Sequence, residues 1–229
     1  MLILAIESSA KPASAAVYSD GKLLGQYFQN NGLTHSRTLL AITEALIKNL
    51  DISIADIDLF AVSNGPGSFT GVRIGVSAAK GLAWGAQKPI CGVSTLEAMA
   101  YQLNMQDVII CPVMDARRQQ VYNALFKWDH NSLIRLCEDR AISLDELGKD
   151  IMNSNKKHLL IGDGAQMSYD YFTTKSIPCE IAPTLLQYQT AYGVALAAIN
   201  AKPIDAIALE PSYLRPSQAE RVLSESQRQ

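Results

Sequence analysis

Gly65-Pro66-Gly67-Ser68-Phe69-Thr70-Gly71-Val72-Arg73-Ile74-Gly75 is the stretch from which the fold can be read. Just before it, Leu59-Phe60-Ala61-Val62-Ser63 has the unbroken apolar character of a buried strand. Gly65-Pro66-Gly67 must turn, because glycine accepts positive φ and proline fixes its own. From Thr70 to Ala86 there is no proline, and Ala, Gly, Val, Ile and Leu dominate, so a helix is predicted there with Ser68 or Thr70 as its cap. Gly71, Gly75 and Gly81 fall inside that helix, at a combined cost of about 3 kcal/mol against alanine. Gly71, Gly75, Ala79 and Ala83 recur every fourth residue and form a smooth ridge that another backbone can approach closely.

Two uses of this stretch remain open on sequence grounds. It could aim backbone N–H groups at a phosphate or dock a partner helix, or it could be a tight contact inside one domain. A P-loop is not expected, because no Gly-Lys-Ser/Thr follows at the required spacing.

The chain has 229 residues, 48% of them apolar, which suits one large or two small domains with a real core. A net charge of −2 argues against a chain that grips nucleic acid by itself. Cys91, Cys111, Cys137 and Cys179 form no CxxC pair and read as reduced core residues of a cytoplasmic protein. His35, His130 and His158 have no metal-ligand spacing. The start, Leu2-Ile3-Leu4-Ala5-Ile6, is a strand without the basic flank of a signal peptide, and no apolar run reaches membrane-spanning length.

Taken in order, the first strand ends in Glu7-Ser8-Ser9. A hairpin about Ser19-Asp20-Gly21 joins strands 14–18 and 22–29, and Thr34 opens a helix to about Asn49. Strand 56–63, the glycine turn, its helix, strand 89–93 and a helix to about Leu103 complete this half. From Asp107 the pattern restarts: strand 108–114 ends in Asp115, strands 120–128 and 133–141 flank a turn, and Ser143 with Glu146 forms a capping box. Strand 158–161 leads into Gly162-Asp163-Gly164 and a helix to about Phe172. Strand 177–181, an alanine-rich helix 188–200 and a tail with Glu210-Pro211-Ser212-Tyr213-Leu214-Arg215-Pro216 follow.

Each half therefore reads βββαβα, with an acidic first-strand end and a glycine turn after the fourth strand. This internal repeat predicts an α/β fold of the actin-like class, shared with sugar kinases and Hsp70, with lobes at 1–104 and 105–229. Its alternative is a pair of unrelated α/β domains. In the actin-like case Gly65, Gly67, Gly71, Asp115, Gly162, Asp163 and Gly164 border a cleft where a nucleotide could lie.

The eleven-residue string at 65–75 resembles the hallmark of the bacterial TsaB (YeaZ) family. Leu33-Thr34-His35-Ser36, Gly92-Val93-Ser94-Thr95-Leu96, Asp115-Ala116-Arg117-Arg118 and Pro211-Ser212-Tyr213-Leu214-Arg215 extend the resemblance over nearly the whole chain. It implies an actin-like fold and a part in making N6-threonylcarbamoyladenosine at A37 of tRNAs that read ANN codons. It further implies a noncatalytic scaffold that pairs with the metal-binding transferase TsaD, is joined by the ATPase TsaE, and forms a homodimer when isolated. ATP or ADP and a metal ion are then expected in the partner subunits, none in this chain alone, and tRNA is reached only through the complex. One departure is Glu7, where the family more often has Asp. It is one methylene longer and would crowd a phosphate loop.

On this reading the helices at 35–49 and 70–85 carry the partner face. His35, Leu39, Phe69, Val72, Arg73, Val76, Ala79, Leu82 and Ala83 are its expected members, and Val76→Arg is expected to block association without unfolding the chain. The rival is an independent actin-like ATPase or small-molecule kinase that grips Mg-ATP through both glycine turns, Asp115 and Asp163. No residue set supports a peptidase.

Overall fold

The computed structural model describes residues 1–215, so Pro216, the end of the expected tail motif, lies outside the described residues. The first lobe comprises β1 (Leu2–Glu7), β2 (Ala13–Ser19), β3 (Lys22–Gln29), α1 (His35–Asn49), β4 (Leu59–Gly65), α2 (Phe69–Ala86), β5 (Ile90–Ser94) and α3 (Thr95–Tyr101). Its sheet runs β3-β2-β1-β4-β5. The β2–β3 hairpin turns at Asp20 (φ 48°) and Gly21 (φ 83°), the pair of positive angles that matches the natural strand twist. β4 and β5 join in parallel, which requires the α1 and α2 crossovers.

The second lobe repeats the plan. It holds β6 (Val108–Asp115), β7 (Gln120–Asn123), β8 (Phe126–Asp129), β9 (Ser132–Arg135), β10 (Arg140–Ser143), α4 (Leu144–Met152), β11 (Lys157–Ile161), α5 (Ala165–Thr174), β12 (Glu180–Ile181) and α6 (Ala191–Ala198). Its seven-stranded sheet runs β10-β7-β6-β11-β12, with β8 and β9 off that path; with β7–β8 and β9–β10 each counted as one interrupted strand, the order is again third, second, first, fourth, fifth. The two lobes are thus a duplicated actin-like unit.

Two expected strands are interrupted here. The run 120–128 splits into β7 and β8, and 133–141 splits into β9 and β10. Pro112, in the middle of β6, has no N–H for the ladder. β7 pairs with Val113–Asp115, and β8 meets β6 at Ile110, so the partner strand changes course at the proline. The buried Asn123 amide bridges the break by donating to Pro112 O at 2.9 Å and Ala124 O at 3.1 Å. The strand expected at 177–181 shrinks to Glu180–Ile181, and the helix expected at 188–200 to Ala191–Ala198.

α1 and α2 cover one face of the first sheet, burying Leu4, Ile6, Phe60 and Val62 against Leu39, Leu46, Val72 and Val76. The other face, with Ile3, Ala5 and Cys91, is covered by Val194 and Ala195 of α6. This corrects the lobe assignment 105–229: α6 returns to the first lobe, and Ile204 then bridges Ile90 of β5. The reason is composition, since Ala, Gly and Val on nearly every side of α6 let it lie flat on a sheet that α3 alone leaves bare. α3 itself sits between the lobes, where Leu96, Met99 and Leu103 pack on Ile110, Phe126 and Ile161. Cys91 and Cys111 are free and buried, and burial pushes both thiols up to about 12.

Candidate functional site

The glycine ridge faces inward. A Cβ on Gly71 would stand 2.2 Å from Ser8 O, and one on Gly75 would stand 2.3 Å from Ser8 Oγ. The backbone that uses the ridge is the β1–β2 loop. Ser8 Oγ donates to Gly71 O at 2.9 Å, and Ser68 N–H donates to Ser9 O at 2.7 Å. Ser68, not Thr70, caps the helix, its Oγ accepting from Gly71 N–H at 3.3 Å. Of the two uses left open by the sequence, the tight contact inside the domain is the one observed.

That orientation corrects much of the expected partner face. Leu39, Val72, Val76, Ala79 and Ala83 are core residues, none more than 3% exposed. Val76→Arg would place a guanidinium in the core and unfold the lobe, so it does not test association. Leu82 is half-buried against the same core. His35 is half-buried, with Nε2 2.7 Å from Ala10 O. Phe69 and Arg73 are engaged by the chain's own tail: Phe69 stacks on Tyr213 at 4.4 Å, and Arg73 Nε donates to the Tyr213 hydroxyl at 2.7 Å.

The outward sides of α1 and α2 carry other residues. Leu40 is 52% exposed and Trp84 is 69% exposed. A Cβ on Gly81 or Gly85 would meet nothing within 4 Å. Sequence reasoning missed Trp84, although its place was legible: Ser77, Gly81, Trp84 and Gly85 share the side of α2 opposite the ridge.

The tail forms a strap across this region. Lys80 Nζ donates to the carbonyls of Ile207 and Leu209 at 2.9 and 2.8 Å, and Ser212 N–H donates to Asn64 O at 2.6 Å. Gly65 (φ 130°) is needed where the strap passes, since its Cβ would lie 2.1 Å from Ser212 O. Beyond Tyr213 the strap crosses to the second lobe, where Arg215 donates to the Gln120 side chain and lies 6.0 Å from the Tyr122 ring centre.

Between the lobes is a cleft of about 730 Å³. It gathers Gly67, Phe69, Gly71, His35, Asp115 and Asp163 from the expected set. Gly65, Gly162 and Gly164 shape its borders but do not line it. Gly162 (φ 114°) corresponds to Gly65 at the end of the other lobe's fourth strand. Asp115 is exposed, its Oδ1 accepting from Arg117 N–H at 2.7 Å. Asp163 is half-buried and accepts from Gln189 Nε2 at 2.9 Å, and burial pushes its carboxyl pKa up. Glu7 does not reach the cleft. It is 1% exposed under the β1–β2 loop, accepts from Ser9 N–H at 2.6 Å, and burial raises its pKa. Lys11, Arg117 and Arg215 also line the cleft and were given no role from sequence. Among the described residues no group of three or more His, Cys, Asp and Glu could hold a metal ion, and no helix is long and apolar enough to cross a membrane.

A family model described as TsaD, tRNA N6-adenosine threonylcarbamoyltransferase, matches residues 30–212. The chain is 31% identical over 232 residues to the tRNA threonylcarbamoyladenosine biosynthesis protein TsaB of Bacillus subtilis, with 100% of both chains covered. It is 34% identical over 170 residues to the protein of the same name from Escherichia coli, covering 72% of this chain and 73% of that one. The structure of YeaZ from Pseudomonas aeruginosa superposes with a TM-score of 0.78 at 21% identity, covering 93% of this chain and 99% of the other. With a relative matched from end to end and the same fold in a solved structure, the chain belongs to the TsaB (YeaZ) family.

Proposed function

We propose that this chain is the noncatalytic scaffold of a tRNA-modifying assembly that transfers a threonylcarbamoyl group to N6 of A37. It pairs with a TsaD-type transferase, is joined by a TsaE-type ATPase, and forms a homodimer when isolated. ATP or ADP and the metal ion belong to those partners, and tRNA is engaged only in the complex. The observation that carries the reading is the outward side of α1 and α2, where Leu40 is exposed on α1 and Trp84 is exposed on α2 next to bare backbone at Gly81 and Gly85. Exposed aromatic and aliphatic side chains next to glycine suit a helix-on-helix contact with a partner. The names of the relatives support the pathway.

The test is reconstitution of tRNA modification from purified subunits, with and without this chain. Undiminished modification on omission refutes the role. Gly81→Arg tests the face: arginine is the better helix former by roughly 0.7 kcal/mol, so the melting temperature is held or slightly raised while co-elution with the transferase is lost. Co-elution at the parental yield would remove α2 from the interface. The rival ATPase reading rests on Asp115 and Asp163 sharing the cleft. It requires Mg-ATP binding by the isolated chain that Asp115→Ala abolishes in calorimetry.

A further inference from the structure

The Asp115-Ala116-Arg117-Arg118 motif has no part in the α1–α2 face, yet its backbone is unusual. Arg117, Arg118 and Gln119 take left-handed φ of 63°, 54° and 55° in succession, and none is glycine. Side-chain sterics disfavour that region for each residue, and such strain persists only where surrounding bonds impose it. Here Asp115 Oδ1 accepts from Arg117 N–H at 2.7 Å, Gln120 N–H donates to Arg117 O at 3.2 Å, and Leu144 N–H donates to Gln119 O at 3.2 Å. Arg117 and Arg118 are both exposed in this turn between β6 and β7. Among the described residues the arginines in ion pairs are Arg135 and Arg140, not these two.

Arg117 lines the interlobe cleft together with Lys11 of the β1–β2 loop and Arg215 of the strap, three cations from distant parts of the chain. α1 and α2 begin in the same cleft, and neither has an acidic residue in its first turn. Of the two carboxylates there, Asp115 is partly engaged by the Arg117 amide, and Asp163 is half-buried on Gln189. The sequence from Leu59 to Leu96 contains no Asp or Glu at all. On a chain of net charge −2, the cleft mouth is therefore a local concentration of positive charge.

We propose that Lys11 and Arg117 at the cleft, with Arg118 beside them in the exposed turn, form a rim that contacts backbone phosphates of the RNA handled by the assembly, an inference that rests on the scaffold reading above. Forked guanidinium groups suit phosphate oxygens, and such contacts position a nucleic acid without reading its bases. Three cations add to an affinity that resides mainly in the partner, which agrees with the acidic balance of the whole chain.

The experiment uses the full chain in complex with its transferase and measures unmodified tRNA binding by anisotropy across a salt series. The Arg117→Gly/Arg118→Gly pair removes both charges, and glycine suits the left-handed angles, so melting temperature and co-elution are maintained. Affinity at low salt is expected to fall about tenfold, with the slope of log K against log salt shallower by about 1–2. The Arg117→Lys/Arg118→Lys pair should keep the parental slope. Unchanged affinity and slope in the glycine pair overturns the rim. Equal loss in the lysine pair overturns it too, because the effect would then be of shape and not charge. ATP and inorganic pyrophosphate are titrated alongside. Binding of either to the isolated chain that depends on Arg117, with tRNA affinity unaltered, assigns the site to a small phosphate and overturns the RNA assignment. Failure of the parental chain to co-elute with the transferase overturns both readings, whereas co-elution with an unaffected glycine pair overturns only this one.

Discussion

Alanine placed at Gly71 and, separately, at Gly81 makes the same chemical change on one helix with opposite consequences. At Gly81 the new methyl meets nothing within 4 Å, so only helix propensity acts, and the variant gains about 1 kcal/mol. At Gly71 the methyl would lie 2.2 Å from Ser8 O, far inside contact distance, and the obstacle is backbone that no rotamer change can remove. The β1–β2 loop must withdraw, at about 1–3 kcal/mol for overpacking. Withdrawal also weakens the Ser8 Oγ–Gly71 O and Ser68 N–Ser9 O hydrogen bonds, each worth about 0.5–1.5 kcal/mol. Against the propensity gain of about 1 kcal/mol, the net loss is about 1–5 kcal/mol, centred near 3. Urea unfolding of the two variants measures the difference directly. In thermal melts each kcal/mol is about 2–4 °C for a chain of this size, so Gly81→Ala melts a few degrees higher and Gly71→Ala several degrees lower than the parent. If Gly71→Ala is as stable as Gly81→Ala, the loop does not rest on the ridge and the assignment of the helix's inner face is wrong.

Glu7→Gln tests the buried carboxyl. Burial raises the folded pKa above the ordinary 4.5, so ionisation at higher pH favours the unfolded chain. The glutamine variant should thus be the more stable one at neutral pH, with its advantage vanishing as pH falls to about 4.5; a constant difference across that window would refute the linkage. Tyr213→Ala removes a ring stacked on Phe69 and hydrogen-bonded by Arg73. A loss of about 1–2 kcal/mol is expected, together with faster amide exchange at Asn64 and Gly65 under the strap. Unchanged exchange there would mean that the strap is held by its other contacts alone.

Much of the fold was legible because it is written twice. Strands ending in Glu7 and Asp115, each followed by two more strands, a helix, a fourth strand and a glycine turn, make the repeated element order readable from the residues alone, and the two sheets repeat it in space. The split of β7 from β8 was legible only in part: Pro112 signals a gap in a ladder, but the side chain that bridges it, Asn123, lies in a different strand. The α2 face was misread for a physical reason. Val72 and Val76 flank the glycines, and an apolar residue on an amphipathic helix is equally suited to its own core or to a partner's. The site of close approach decides between them, and that is set by Ser8, more than sixty positions away. Trp84 lies on the side of α2 opposite the inward ridge, so its exposure follows from where the glycines pack. The return of α6 to the first lobe could not be seen at all, since an alanine-rich segment carries no address for the sheet it covers.

That return has a consequence for how the chain emerges from the ribosome. Ile3, Ala5 and Cys91 belong to segments made early, but the helix that covers them is made only after the entire second lobe. During synthesis the first lobe is therefore a sheet with one sticky side until α6 is made and docks on it. The duplicated halves cannot be separated into two self-sufficient proteins, because the later half carries a piece of the earlier one's interior.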